Sequence, residues 1–294
     1  RMQTSSLHYY SRCILMAAII LSLSACATVA ELSGKSSQKM NRTAAQQYRR
    51  TVQLADARNQ LDTASTNAQR VQTIFNRLIP PANRANQTGE RLVWEVALIR
   101  SESLNAWSMP GGKIAIYSGL IETLNLNDDE IAAILGHEMA HVLHEDSKRA
   151  EGRKVLTRVA SSTIGFIAGS FAQLGADVIG HYGIAMPYSR SQENRADETG
   201  MKLMAEAGYN PAAALNVWRK MSHFKNNNNL KVAISSSHPT NQARYENLRS
   251  LLPQMQPIYE RNRHRFPSTP TPQQPHISAP AFTVQRLGNP RSQP

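Results

Sequence analysis

Two histidines and a glutamate set the first chemical question: His137, Glu138 and His141 occur together as H-E-M-A-H. The histidines are four residues apart, so on a helix both imidazoles leave the same face. Two imidazoles on one face can hold a zinc ion, and a glutamate beside them can act as general base toward the attacking water. Taken alone, the motif also fits a buried helix with two hydrogen-bonded histidines. A third ligand downstream decides between the two readings.

A catalytic zinc keeps three protein ligands and one open position. Glu193 is the best-placed third ligand, because it falls in a second helical stretch with Asp197 one turn later. Asp197 can accept a hydrogen bond from the free ring nitrogen of a zinc-bound histidine and so set its tautomer. The neighbouring Arg190, Arg195 and Glu198 equally allow a solvated acidic face. The H-E-x-x-H-x-x-G-x-x-H arrangement is excluded, since His144 and Ser147 stand where the pattern needs Gly and His. His144 reads as a satisfied histidine on the helix flank.

These side chains need a rigid, buried platform. Residues 127–145 supply one helix: Asn127 is an N-cap, and Glu130 completes a capping box three residues on. Asp128 and Asp129 sit on the first turn, where the helix dipole favours negative charge. Ile131, Ile134, Leu135, Met139, Val142 and Leu143 recur at helical spacing and predict burial. Upstream, residues 43–61 have helix-forming composition, and 68–79 form an amphipathic helix that Pro80-Pro81 should stop. Residues 92–99 read as a strand. Residues 105–109 and 113–117, around Pro110-Gly111-Gly112, read as a hairpin beside the motif helix. One strand of that hairpin can be an edge that pairs with an extended peptide. Asn105, Ile114 and Ala115 are then the substrate-binding candidates, although the pattern fits a purely structural hairpin as well. Downstream, 154–180 repeats apolar residues every three or four positions and reads as a helix packed over the motif helix or as a lid. Helices follow over 188–208, from Asn210-Pro211 to about 221, and from His238-Pro239 to about 252. The fold class predicted is α+β: mainly helical, zincin-like, with a small sheet.

The formal charge of +12 invites a nucleic-acid reading, but its distribution argues against one. Residues 1–25 carry +2 and residues 261–294 carry +5, leaving +5 for the body, with no basic helix or aromatic-basic platform. Residues 1–25 read as a lipoprotein signal peptide: a short basic region, an apolar run from Cys13 to Leu23, then Leu23-Ser24-Ala25-Cys26. That ending resembles a bacterial lipobox, with Cys26 the lipidated residue and membrane anchor. Removal of the signal would leave Cys26 as the single cysteine, so no internal disulfide is expected. Residues 26–39 read as a tether, 40–260 as the catalytic domain, and 261–294 as a basic, Pro-rich tail without fixed structure.

Four motifs carry a family resemblance in order and spacing: N-A-W-S-M-P-G-G-K-I-A-I-Y-S-G-L-I, H-E-M-A-H, Y-S-R-S-Q-E-N-R-A-D and H-P-T-N-Q-A-R. Together they resemble the zinc metallopeptidases that include HtpX, the CAAX prenyl endopeptidase, the mitochondrial OMA-type peptidase and the envelope members BepA and LoiP. The resemblance spans roughly residues 42–253. It implies His137, His141 and Glu193 as ligands of one zinc ion per chain, with Glu138 as base. It also implies Asp197 as support for a ligand, with His238 and Arg244 as active-site neighbours. His238 stands outside the three-ligand set and has two possible uses: donor to the transition-state oxyanion, or occupant of the open position that holds the enzyme off. The expected activity is endoproteolysis of misfolded or misassembled envelope proteins by a lipoprotein facing the periplasm, in the outer membrane of a Gram-negative source. The competing reading is a non-enzymatic holdase for outer-membrane proteins with a structural zinc. The intact Glu138 argues against it.

Overall fold

The computed structural model describes residues 28, 30–32, 34–153, 188–227, 237–239 and 241–265. The signal segment, Cys26, the expected helix over 154–180 and the tail beyond 265 lie outside the described residues. No described helix is long and apolar enough to cross a membrane.

In chain order the elements are α1 (Ser37–Ala57), β1 (Leu61–Asp62), α2 (Thr66–Ala85), β2 (Glu95–Ile99), β3 (Ala106–Met109), β4 (Lys113–Tyr117), α3 (Ser118–Thr123), α4 (Asp128–Leu143), α5 (Arg190–Glu206), α6 (Ala213–Asn227) and α7 (Gln242–Asn262). The α+β class predicted from the sequence holds. The sheet runs β1-β2-β4-β3. β2 and β4 are parallel, and the other neighbours are antiparallel. β3 and β4 form the expected hairpin, and the turn between them requires its glycines. Gly111 and Gly112 have φ of +83° and +89°, and a Cβ on Gly112 would lie 2.9 Å from the Trp94 ring.

The largest core cluster joins α2, the sheet and α4, with Ile74, Phe75, Leu78, Ile114, Ile116, Ile131 and Leu135 all essentially inaccessible. This burial explains a departure from the sequence reading. Pro80 and Pro81 do not stop α2, which continues to Ala85. Proline already holds a helical φ, and its cost inside a helix is a lost donor and crowding against the carbonyl four residues back. Leu78, Pro81 and Ala82 are all buried on this face, and that packing carries the helix through. Similarly, α7 runs on through Pro253 and Pro257, and it starts at Gln242 with Asn241 as N-cap rather than at His238.

The tether expected over residues 26–39 is also corrected. Ala30 is fully buried, and Glu31 Oε2 pairs with Lys148 Nζ at 2.6 Å. Helix α1 begins at Ser37, whose hydroxyl donates to Glu145. A polar stretch reads as linker in sequence, but here it finds complementary charges in the segment that follows α4.

Candidate active site

The platform helix forms as its sequence requires. Asn127 Oδ1 accepts from Glu130 N at 2.9 Å, and Glu130 Oε2 accepts from Asn127 N at 2.9 Å, closing the capping box. Helix α5 starts the same way, with Ser189 and Gln192 reciprocally bonded. The two helices meet without side chains between them. A Cβ on Gly200 would lie 2.9 Å from His137 N, and one on Gly136 would lie 2.9 Å from Gly200 O. This approach brings Glu193 and Asp197 of α5 against His137 and His141 of α4.

Four donor atoms converge there, one each from His137, His141, Glu193 and His238, all within 4.8 Å of one another. His137 Nε2 lies 3.1 Å from His141 Nε2 and 3.1 Å from His238 Nδ1. Glu193 Oε1 lies 3.3 Å from His141 Nε2 and 3.0 Å from His238 Nδ1, and Glu193 Oε2 lies 3.5 Å from His137 Nε2. The three expected ligands are therefore brought together. His238, outside the three-ligand set in the sequence reading but allowed there as occupant of the open position, has its Nδ1 inside the cluster as a fourth donor.

The donor set fits zinc. His141 Nδ1 faces Asp146 Oδ2 at 2.8 Å, and His137 Nδ1 faces Asp197 Oδ1 at 2.9 Å. Each Nδ1 thus carries its proton toward a carboxylate, so each Nε2 turns a lone pair toward the other. At 3.1 Å in a buried site, the two Nε2 atoms need either a shared proton or a metal cation between them. The His137–His141 and His141–Glu193 separations of 3.1 and 3.3 Å are close to the edge of a tetrahedron with zinc–nitrogen bonds of about 2.0–2.1 Å, roughly 3.3 Å.

Without metal, charge around the cluster favours an ionised Glu193 and a protonated His137, so binding of a cation there would displace the His137 proton. Burial works against the Glu193 carboxylate, but His238 and His137 hold it far below the usual carboxylate range. Burial alone would push His137 down; Glu193 and Asp197 carry it up to about 10 without metal. Burial holds His238 below its ordinary value, against the opposing pull of Glu138 and Glu193. Arg244 ties the second turn together: Nε and Nη2 donate to the two oxygens of Asp197, both at 2.7 Å, and Nη1 is ion-paired with Glu193 Oε2.

Glu138 is 1% exposed. Ser108 Oγ of β3 donates to its Oε2 at 2.8 Å, and its Oε1 lies 3.3 Å from His238 Nε2. His144 is the satisfied histidine expected, paired with Thr199 Oγ1 at 2.9 Å.

Three supporting residues were not foreseen: Asp146, Ser108 and Tyr188. Glu145, at φ +50°, turns the chain sharply after α4. That turn carries Asp146 back beneath His141, where it is fully buried and also accepts from Gln192 Nε2 at 3.0 Å and Arg195 Nη2 at 2.9 Å. Tyr188 stacks on the His141 ring at 3.9 Å and 12°. No short-range spacing marks Asp146, since the turn that delivers it is non-helical.

The substrate-binding candidates fare less well. β3 is the edge strand beside the site, whereas Ile114 and Ala115 belong to β4, which pairs on both sides and buries them completely. Their backbone is committed to β2 and β3, so they cannot bind a peptide strand. Asn105 is also buried, and its carbonyl accepts from Tyr117 N at 3.0 Å.

The family model described as peptidase family M48 matches residues 65–252. The mitochondrial metalloendopeptidase OMA1 of Schizosaccharomyces pombe is 31% identical over 168 residues, 56% of this chain and 48% of the relative. Metalloprotease LoiP of Escherichia coli is 29% identical over 186 residues, 62% of this chain and 69% of the relative. The beta-barrel assembly-enhancing protease of Yersinia pestis is 24% identical over 198 residues, 64% of this chain and 40% of the relative. The chain spans about half the length of the two yeast OMA1 relatives, 48% and 58%.

Proposed function

The chain belongs to peptidase family M48, and from that premise we propose that it is a zinc-dependent endopeptidase with Glu138 as general base. One observation carries the reading: the donors of His137, His141, Glu193 and His238 lie within 4.8 Å of one another, with the buried Glu138 carboxylate 3.3 Å from His238. His137, His141 and Glu193 are the proposed ligands. A bound zinc supplies Lewis acidity to the scissile carbonyl and lowers the pKa of water at the site.

The chain's own residues do the rest. Glu138 takes the proton from the attacking water and returns it to the departing amine nitrogen. Ser108 holds Oε2 of that carboxylate, which leaves Oε1 to face the reacting atoms. Asp197 and Asp146 hold the two imidazoles in the tautomer that turns Nε2 inward. Arg244 keeps Glu193 and Asp197 ionised and in register.

His238 has two uses in this scheme. With Nδ1 in the cluster it is a fourth protein donor that fills the open position and holds the enzyme at rest. When it swings out, its ring N–H can support the developing oxyanion. Four protein donors also describe a structural zinc site, the holdase reading. Against that reading stands Glu138: a structural site needs no buried carboxylate, held by a dedicated serine, beside its ligands.

The substrates proposed are misfolded or misassembled envelope proteins, and the location proposed is the periplasmic face of a membrane, through lipidated Cys26. Two supports are the lipobox-like Leu23-Ser24-Ala25-Cys26 and the similarity to a relative named beta-barrel assembly-enhancing protease. The test is zinc-dependent degradation of casein. Glu138→Gln should keep the fold and the metal and lose turnover by roughly a hundredfold or more, since it removes a base and no ligand. A purified variant that cleaves like wild type ends the assignment.

A further inference from the structure

The stretch ahead of α1 is folded against the catalytic domain, and the chemistry above does not use it. Gly34, at φ +76°, donates to Glu31 O at 3.0 Å, and Lys35 N donates to Ala30 O at 2.8 Å, so the stretch closes a turn of its own. That turn faces the segment that follows α4. Lys148, only 7% exposed, donates from Nζ to Glu31 Oε2 at 2.6 Å and to Ser37 Oγ at 2.9 Å. The Ser37 hydroxyl in turn donates to Glu145 Oε1. One hydroxyl therefore bridges Glu145 and Lys148, which flank Asp146. The start of α1 and the His141 end of α4 share a cleft of about 390 Å³, its mouth included, lined by Ser37, Met40, Ser108, His141 and Glu145 among others.

We infer that Ser37 and Lys148 are positioning residues for the metal site: with Glu31 they clamp the turn that carries Asp146 and so keep its carboxylate beneath His141. The inference rests on the peptidase reading and adds to it a part of the chain that touches no proposed ligand. The need for a clamp follows from the backbone. Glu145 holds φ +50°, a left-handed conformation that few residues other than glycine adopt. From α5, Gln192 and Arg195 hold the Asp146 carboxylate. From the opposite side, Ser37 and Glu31 hold the residues on either side of it. Lys148 supplies the pull. A buried ammonium is costly to leave unpaired, so its charge draws Glu31 and Ser37 onto the turn.

The clamp ties two distant parts of the chain together. Glu31 and Ser37 follow closely on Cys26, the proposed lipid anchor, whereas Asp146 touches a proposed zinc ligand. Seating of the N-terminal stretch on the turn therefore sets how firmly the site holds its metal.

The experiment uses the full-length protein, stripped of metal and titrated with zinc against a chromogenic chelator. Lys148→Met should weaken zinc binding by roughly three- to tenfold and Ser37→Ala by about threefold, less than direct loss of a ligand's own partner costs. Lys148→Arg keeps a cation for Glu31 and Ser37 and should stay within about twofold of wild type. Without metal, hydrogen exchange at the Arg149 amide, which donates to Glu145 O, should be faster in Lys148→Met, while the amides of α2 keep their wild-type rates. In the Asp146→Asn background, Lys148→Met should change zinc affinity by less than about twofold, because its effect passes through that carboxylate. Ser37→Ala deletes a single oxygen and supplies the same test if Lys148→Met does not fold. Unchanged zinc affinity in the folded variants, or losses that add in full to that of Asp146→Asn, overturn the clamp and leave the peptidase standing. A wild-type protein that neither binds zinc nor cleaves casein overturns both.

Discussion

Gly200→Ala tests whether backbone contact between α4 and α5 sets the metal site. In an ordinary helix this change stabilises by about 0.8–1 kcal/mol, because Ala has the better helix propensity. Here the added Cβ would lie 2.9 Å from His137 N and 3.0 Å from both Gly136 C and His137 Cα. All three neighbours are backbone and cannot rotate away. Relief to even a tight 3.4 Å contact needs α5 to retreat by about 0.5 Å. Overpacking of this kind costs about 1–3 kcal/mol, so the net effect on folding is roughly 0–2 kcal/mol of destabilisation. The functional cost should be larger. Asp197 stands one turn before Gly200 and Glu193 two turns before, so the retreat draws both from His137, where separations are now 2.9 and 3.5 Å. A misplacement of 1 Å can cost about a hundredfold, so half of that predicts about tenfold in zinc affinity and in kcat/KM. Urea unfolding in chelator gives the stability, and competition with a chromogenic chelator gives the affinity. Gly136→Ala meets the same contact from the other side, so the double variant should cost less than the two singles combined. A variant about 1 kcal/mol more stable, with zinc affinity unchanged, would refute the backbone-contact account.

Asp146→Asn keeps size but removes the charge that orients His141; zinc affinity should fall about tenfold to a hundredfold, measured by chelator competition on the apo protein, with the helical circular dichroism preserved. His238→Ala should lower turnover by roughly a hundredfold if its ring N–H supports the oxyanion, and raise activity on unfolded substrate if its resting place in the cluster dominates. We expect the loss, since every cycle needs the donor; unchanged turnover and unchanged zinc coordination would leave neither role standing. Cys26→Ser should release the protein from membranes and leave the soluble form's cleavage rate intact. Fractionation that still finds the variant with membranes moves the anchor elsewhere.

How much of this site was legible in sequence depends on the range over which each signal acts. Asn127 and Glu130 announce the start of α4 because a capping box closes within three residues, and the apolar positions along α4 predict its burial for the same local reason. The hairpin was legible through Gly111 and Gly112, which only a turn of positive φ requires. Asp197 was legible because it shares a helix face with Glu193. What failed is what depends on distant partners. Pro80 and Pro81 look like a stop until Leu78 and Ala82 are seen buried against the sheet, where packing outweighs two missing donors. β3 and β4 have similar composition, and only the pairing of β4 with β2 decides that β3 is the edge and that Ile114 and Ala115 are interior. Asp146 depends on the left-handed Glu145, a conformation no spacing rule foretells for a glutamate. The same holds for Gly136 and Gly200: each looks like a minor weakness in its own helix. Together they allow the approach that lets a carboxylate on α5 reach imidazoles on α4, so two locally unfavourable residues are what bring one metal site together from two helices.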